Sequence, residues 1–341
     1  MVKKIKSFLV SILVMCAITL LLGELAFRII GKSGHTIKEI STVIEPGNTF
    51  YQIDSTLGYK HISGDFTVHL SDSFSWNTTH LKTSRRITKP LNQYKIDQDK
   101  PSIWFMGCSF THGWSLNNNE TFPWLIQERF PEYHIENFGI GGHGILQALL
   151  QLKQELAINH KPKLIFLCYA SFHDERNVLL SSWRKSLSPN QKLGKLSPPY
   201  ARVSEGKLKI DYAEKLYTPW PLNKYSALIN TLEDTYYQYE DYLINCQDVT
   251  KAIINEIKTI CKEQEITFVL TNIHNTSNTK KVSDYVKKMG VNVTDISVDL
   301  TLKQNNNLPH DGHPSAKANF YYANKLELYI RSLTKEKHLG L

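Results

Sequence analysis

The five cysteines of this 341-residue chain, Cys16, Cys108, Cys168, Cys246 and Cys261, include no C-x-x-C pair. That absence excludes a thiolate metal cluster and a disulfide framework. Cys246 and Cys261 could pair, but Cys261 falls on the apolar face of a predicted helix, where a buried free thiol is the commoner outcome. Internal repeats and low-complexity tracts are also missing, so neither a solenoid nor a compositionally disordered chain is expected. The formal charge is +8, yet Lys and Arg are scattered and dense only at Lys3, Lys4 and Lys6 and in the tail around Lys335 and Lys337. No basic stripe of the kind that tracks a nucleic-acid backbone is present, so nucleic acid is not an expected partner. What is there is ordinary globular composition, 41% hydrophobic and 21% charged, with length for a sizeable core.

The first thirty residues predict a membrane segment. Phe8 to Gly23 carries no charge, and the apolar pattern continues through Leu25, Ala26, Phe27, Ile29 and Ile30, with Glu24 and Arg28 one helical turn apart. The uncharged part is about 25 Å long as a helix, short enough for a signal peptide. No small-x-small cleavage site follows it, and Met15 stands before Cys16 where lipoprotein processing takes a small residue. Both point to an uncleaved anchor. The lysines precede the span, so the positive-inside bias holds the N-terminus in the cytoplasm and sends the chain after Lys32 to the periplasmic or outer side. N-x-S/T triplets at Asn77, Asn119, Asn275 and Asn292 are compatible with that side.

Three regions follow from the patterning: residues 1–32 as basic start and transmembrane anchor, 33–100 as an irregular β-rich lead-in, and 101–341 as the main domain. In the main domain, apolar strands at Ile103–Met106, Ile135–Phe138, Leu164–Tyr169, Thr267–Thr271 and Val291–Ile296 alternate with amphipathic helices. The helices are placed at Phe122–Phe130, Ile145–Asn159, Val249–Glu263, Lys280–Met289 and Ala316–Leu333. This is the pattern of an α/β fold, a flavodoxin-like three-layer sandwich with a five-stranded parallel sheet. Residues 181–245 break the alternation with prolines, a hairpin near Glu205-Gly206 and an aromatic-rich helix near Tyr236 to Tyr242, and read as an insertion or cap.

Gly107-Cys108-Ser109-Phe110-Thr111 directly follows the first of those strands. The carboxyl end of a strand in a parallel sheet is where ligands bind, so a serine there offers its hydroxyl to the crevice and its N–H to a developing oxyanion. A serine after a strand also commonly does no more than cap a turn. Asp311-Gly312-His313-Pro314 lies in a polar loop before the last helix. An imidazole that takes the serine proton needs a carboxylate to hold its tautomer, and Asp311 and His313 are close enough in sequence to serve one serine.

These blocks resemble those of the SGNH (GDSL-like) hydrolases. Gly107, Ser109 and Thr111 fall on the Gly-Asp-Ser block, with Cys108 where that family has aspartate. Asp311 and His313 resemble its C-terminal block, with Asp-x-His instead of Asp-x-x-His, so that His310 occupies the expected aspartate position; the shorter spacing is similar to that of the polysaccharide-acetylating branch. The resemblance implies Ser109 as nucleophile, His313 as base and Asp311 as its partner.

Gly139, Gly141 and Gly144 satisfy G-x-G-x-x-G between a strand and a helix, the dinucleotide fingerprint. It follows the second strand instead of the first, and the acidic residue after the next strand, Asp174, stands about thirty-five residues on instead of about twenty. Asn137-Phe138-Gly139-Ile140-Gly141-Gly142 also resembles the second SGNH block, which implies Gly142 as an oxyanion donor. The third block, Gly-x-Asn-Asp, is replaced by Ser171-Phe172-His173-Asp174, so His173 is the positional stand-in for the donor asparagine, and Asn177 is the nearest asparagine. The expected oxyanion hole is Ser109, Gly142, His173 and Asn177. No cofactor and no metal are expected.

The reaction implied is acyl transfer from an ester. An outward-facing anchored enzyme would act on O-acyl groups, acetyl above all, of envelope or exported polysaccharide, or on lipid esters. Trp183, Tyr200, Tyr217, Trp220 and the Tyr236 cluster could stack on sugar rings. An O-acyltransferase on the same residues and a glycan-binding relative without catalysis are the alternatives.

Overall fold

The computed structural model describes residues 2–35, 42–71, 73–93 and 100–335; Lys337 of the basic tail lies outside them. Helix α1 spans Val2–Ile29. The lead-in contains β1 (Val43–Glu45), β2 (Tyr51–Asp54), β3 (Gly58–His61), β4 (Gly64–Ser71) and β5 (Phe74–His80). Strands β1, β4 and β5 make an antiparallel sheet, and β2 and β3 a separate hairpin. Phe66, Val68 and Trp76 alternate inward and close on Phe50, so this region has its own small core.

The central sheet holds β6 (Ser102–Met106), β7 (His134–Asn137), β8 (Leu164–Tyr169), β11 (Thr267–Asn272) and β12 (Asn292–Asp295). Its order is β12-β11-β8-β6-β7, with every pairing parallel. All residues of β6, β7 and β8 are buried; β6 and β8 read as near-continuous apolar runs for that reason, whereas β7 buries the polar His134, Glu136 and Asn137. Ile103 and Phe105 face the layer of α3 (Phe122–Arg129) and α10 (Ala316–Lys335), where Phe122, Ile126, Tyr322, Leu326 and Ile330 complete one core. Neighbouring Trp104 and Met106 alternate to the other face and are as deeply buried. Helices α4 (Ile145–Ala157), α8 (Cys246–Glu263) and α9 (Ser277–Lys288) connect the strands. Cys246 and Cys261 lie towards opposite ends of α8, both buried and not joined in a disulfide.

The remaining elements are α2 (Ser109–His112), α5 (His173–Asn177), α6 (Ser181–Leu187), the hairpin β9 (Pro199–Ser204) and β10 (Lys207–Tyr212), α7 (Ala227–Ile244), and the short pair β13 (Asn306–Asn307) and β14 (Asp311–Pro314). The chain divides into two compact units: Met1–Glu39 with Leu180–Pro189 and Lys215–Ile244, and all the rest. The stretch 181–245, expected as one insertion or cap, falls in both units. Its hairpin packs with the central-sheet unit, whereas α6 and α7 pack with α1, because Gly23, Glu24 and Arg28 give α7 a docking place. Tyr200 consequently shares no unit with Tyr217, Trp220 and Tyr236.

Candidate active site

The turn after β6 is built for close approach. A Cβ on Gly107 would lie 2.3 Å from Thr111 Oγ1 and 3.1 Å from Cys168 Cβ, so only glycine fits there. The single turn of α2 then begins at Ser109 and is closed by Gly113 in the left-handed conformation, with φ of 85°. In a helix the first N–H groups have no intrahelical acceptor, which leaves that of Ser109 available.

His313 arrives on β14. Its Nε2 lies 2.9 Å from Ser109 Oγ, and its Nδ1 lies 2.9 Å from Asp311 Oδ1. A carboxylate only accepts, so Nδ1 carries the hydrogen and Nε2 is left as the acceptor for the serine hydroxyl. Ser115 Oγ donates to the other carboxylate oxygen, Oδ2. Burial pushes the Asp311 carboxyl up, but the hydrogen bond and charge of His313, with Ser115, outweigh it and hold the group below the usual carboxylate range. His310, the rival at the family's aspartate position, is exposed, stacks on Phe74 at 5.0 Å and sits 3.3 Å from Ser71 Oγ. It is not part of the relay.

The glycine turn is fastened to the Ser109 turn. Asn137 Nδ2 donates to Thr111 O at 3.0 Å, Gly139 N donates to Asn137 Oδ1, and a Cβ on Gly139 would lie 2.3 Å from His112 N. A Cβ on Gly144 would lie 2.5 Å from Asn177 Oδ1. These glycines make room for protein, not for a pyrophosphate, which removes the dinucleotide reading. Tyr59 Oη donates to Gly141 O at 2.8 Å. In a trans peptide the following N–H points the opposite way, so this bond sets the direction of Gly142 N–H.

The expected oxyanion donors separate. Asn177 Oδ1 accepts from Leu146 N and its Nδ2 donates to Thr250 Oγ1, so its amide joins α4, α5 and α8 and is not a donor to substrate. His173 is fully buried; its Nδ1 accepts from Ala170 N at 3.4 Å, which places the hydrogen on Nε2, an atom with no partner in the protein. Tyr51 is a group that sequence reasoning missed. A Cβ on Gly141 would lie 2.6 Å from Tyr51 Oη and 4.0 Å from Ser109 Cβ, so the phenol and the nucleophile flank the same glycine. Burial raises the Tyr51 phenol, which keeps its hydrogen. Ser115 and Tyr59 were missed as well, since neither belongs to a motif.

Phe110, Phe172 and His274 form an aromatic wall beside His313, with ring separations of 5.4 to 6.4 Å. His274, Asn275 and residues 297–301 line a cavity of about 470 Å³. A larger cleft of about 840 Å³ lies along β1, β4 and β5, and no residue of the relay lines either space.

Among the described residues, one group of three metal-ligand side chains comes together: His61, His80 and His112, all buried. It does not fit an ion. The rings of His61 and His80 are stacked 4.0 Å apart at 5°, so no ion can lie in both ring planes, where imidazole lone pairs point. The buried Arg86 guanidinium nearby disfavours added positive charge. Instead, His80 Nε2 and His112 Nε2 share a hydrogen bond of 2.9 Å behind the Ser109 turn.

Burial holds His61 and His143 down at about 3 and His80 and His112 well below their ordinary value. In the unfolded chain each takes a proton near pH 6.5. Their stabilisation is therefore complete above about pH 6.5 and lost as the solution is acidified, by up to about 1.4 kcal/mol per pH unit for each ring. His160 titrates the other way: hydrogen bonds to Glu136 and Glu155 raise it to about 9, and its stabilisation fades only on the alkaline side. Urea midpoints measured from pH 7 to pH 5 are expected to fall steeply. A flat profile would contradict the buried, neutral cluster.

No protein-family model matches the chain, and no curated protein matches it. Some solved structures are similar. A lipolytic protein of the G-D-S-L family from Desulfitobacterium hafniense DCB-2 is 11% identical with a TM-score of 0.37, covering 67% of this chain and 99% of that one. The acetyl xylan esterase Est2A of Butyrivibrio proteoclasticus is 15% identical with a TM-score of 0.37, covering 69% and 64%. The esterase EstA of Pseudoalteromonas sp. is 12% identical with a TM-score of 0.39, covering 69% and 100%. Likeness this distant carries no argument about chemistry, which rests on the distances above.

Proposed function

We propose that this chain is a membrane-anchored serine esterase of the SGNH kind, acting on O-acyl esters, acetyl above all, of envelope or exported polysaccharide or of lipid. The observation that carries this reading is the continuous relay from Ser109 through His313 to Asp311. Ser109 Oγ attacks the ester carbonyl carbon as His313 Nε2 takes its proton, and Asp311 steadies the resulting imidazolium. The oxyanion is received by the N–H groups of Ser109 and Gly142, with His173 Nε2 or Tyr51 Oη as a third donor. His313 returns the proton to the leaving alcohol. The acyl-serine is then released by water, or by a sugar hydroxyl in the acyltransferase version of the same chemistry.

Helix α1 supplies the anchor. An 18-residue window within Lys4–Ile29 has a mean hydropathy of 2.4, and none of that window is buried. Its hydrogen bonds to α7 favour retention, because removal of a signal sequence would strip α7 of its N-terminal cap. The lysines before the span support a periplasmic or outer side for the residues after Lys32.

The test is made on the detergent-solubilised full chain. Hydrolysis of p-nitrophenyl acetate and a fluorophosphonate adduct on Ser109 are expected; absence of both overturns the esterase in favour of a non-catalytic glycan-binding protein. Acyl transfer to an added sugar in place of hydrolysis would identify the transferase. Within this reading Tyr51→Phe is expected to lower kcat roughly 100-fold with little change in KM, the scale of one lost oxyanion donor. An unchanged kcat would leave the third donation to His173.

A further inference from the structure

Helix α7 has three faces. One is buried and polar at its centre: Glu233 is wholly enclosed and receives hydrogen bonds from Tyr217, Tyr237, Asn223 and Lys185. A second carries exposed polar residues, among them Asp234 and Gln238. The third carries Leu232, Tyr236, Tyr239 and Leu243, exposed by 46%, 46%, 55% and 59%. Their spacing of i, i+4, i+7 and i+11 puts all four on one stripe, and no carboxylate interrupts it. Because the buried face is already satisfied, the stripe is not a core face turned outward by mistake.

What covers it is indicated by where α7 starts. Glu24 of α1 accepts hydrogen bonds from Ser226 Oγ at 2.7 Å, Ala227 N at 3.0 Å and Leu228 N at 2.9 Å, and so caps the helix. Arg28 joins Glu24 at 2.7 Å and donates to Tyr225 O at 2.8 Å. A Cβ on Gly23 would lie 3.4 Å from Leu228 Cδ2, so the two helices touch where the uncharged run ends. The first turn of α7 is thus pinned to the end of the apolar span. The approach to it exposes Leu222 and Tyr225 as well. Tyrosine and leucine together, an apolar body with a polar rim, is the composition of a helix lying in a membrane–water interface.

We propose that α7 is a second membrane contact: its Leu232–Tyr236–Tyr239–Leu243 stripe lies in the lipid interface of the leaflet from which α1 emerges. The inference rests on α1 spanning the bilayer. Each tyrosine ring sits at the depth of the ester groups with its hydroxyl toward water, and the two leucines reach the upper acyl chains. The unit of α1, α6 and α7 is then held by two contacts and cannot swing freely about a single span.

The experiment uses the full chain in vesicles of phosphatidylethanolamine and phosphatidylglycerol, 3:1. Cys16, the one exposed cysteine among the described residues, is replaced by serine, and a nitroxide is attached at Tyr239→Cys or, as a water-exposed reference, at Lys207→Cys in the β9–β10 turn. The label at 239 is expected to collide several-fold more with oxygen than with a water-soluble nickel chelate, and the label at 207 the reverse. Equal nickel access at both sites overturns the proposal. So does protection of 239 from both reagents, which would mean a protein partner. Intact mass and resistance to alkaline carbonate report separately on whether α1 is retained and spans, and neither readout depends on catalysis.

Discussion

Ser109→Ala is expected to lower kcat for an activated acetate ester about 10⁵- to 10⁶-fold, the scale seen when the nucleophile of a triad is removed. The Oγ atom is the group whose bond to carbon carries the reaction, and no neighbour can replace it: Cys108 is fully buried, and Thr111 Oγ1 is packed against Gly107. The same substitution removes only one hydrogen bond from the fold, that to His313 Nε2. Its urea midpoint should therefore stay within about 1 kcal/mol of the parent. Measured together, kcat and stability separate loss of the nucleophile from loss of the fold. Hydrolysis that survived the change at an undiminished rate would remove Ser109 from the chemistry.

Asp311→Asn is expected to lower kcat about 10⁴-fold near neutral pH while leaving KM little changed. An amide can donate to His313 Nδ1, where the carboxylate can only accept. The ring then carries its hydrogen on Nε2 and faces the serine hydroxyl with a donor instead of an acceptor. The parent carboxyl is held below the ordinary range by His313 and Ser115, against the push of burial. The stability from this pairing is thus present above the unfolded carboxyl's value and disappears as pH falls through the folded one. His310→Ala is the control, since a ring stacked on Phe74 has no part in the relay; loss of kcat there equal to that of Asp311→Asn would reverse the assignment.

The two substitutions bear differently on what was legible beforehand. Ser109 and His313 stand next to strong local signals, an apolar strand ending in Gly107 and the start of a long amphipathic helix. The choice between Asp311 and His310 had no local signal: His310 ends the turn before β14, and Asp311 is the first residue of that strand. The sheet register and the packing of Phe74 decide which side faces Ser109. The oxyanion hole was less legible still. Asn177 is used between helices that only the fold brings together, and Tyr51 reaches the site from a hairpin far upstream.

The sequence by itself determined the five parallel strands, the anchor-like first helix and the places of Ser109 and His313, because hydrophobic period and turn chemistry are local properties of the chain. Tertiary structure alone decided that His310 turns away onto Phe74, that Tyr51 and Tyr59 frame the glycine turn, and that the stretch 181–245 divides between two units. Those outcomes depend on which distant side chains share one enclosed volume, and partner choice there follows from desolvation: a buried donor or acceptor takes the partner within reach, however far away it lies in sequence.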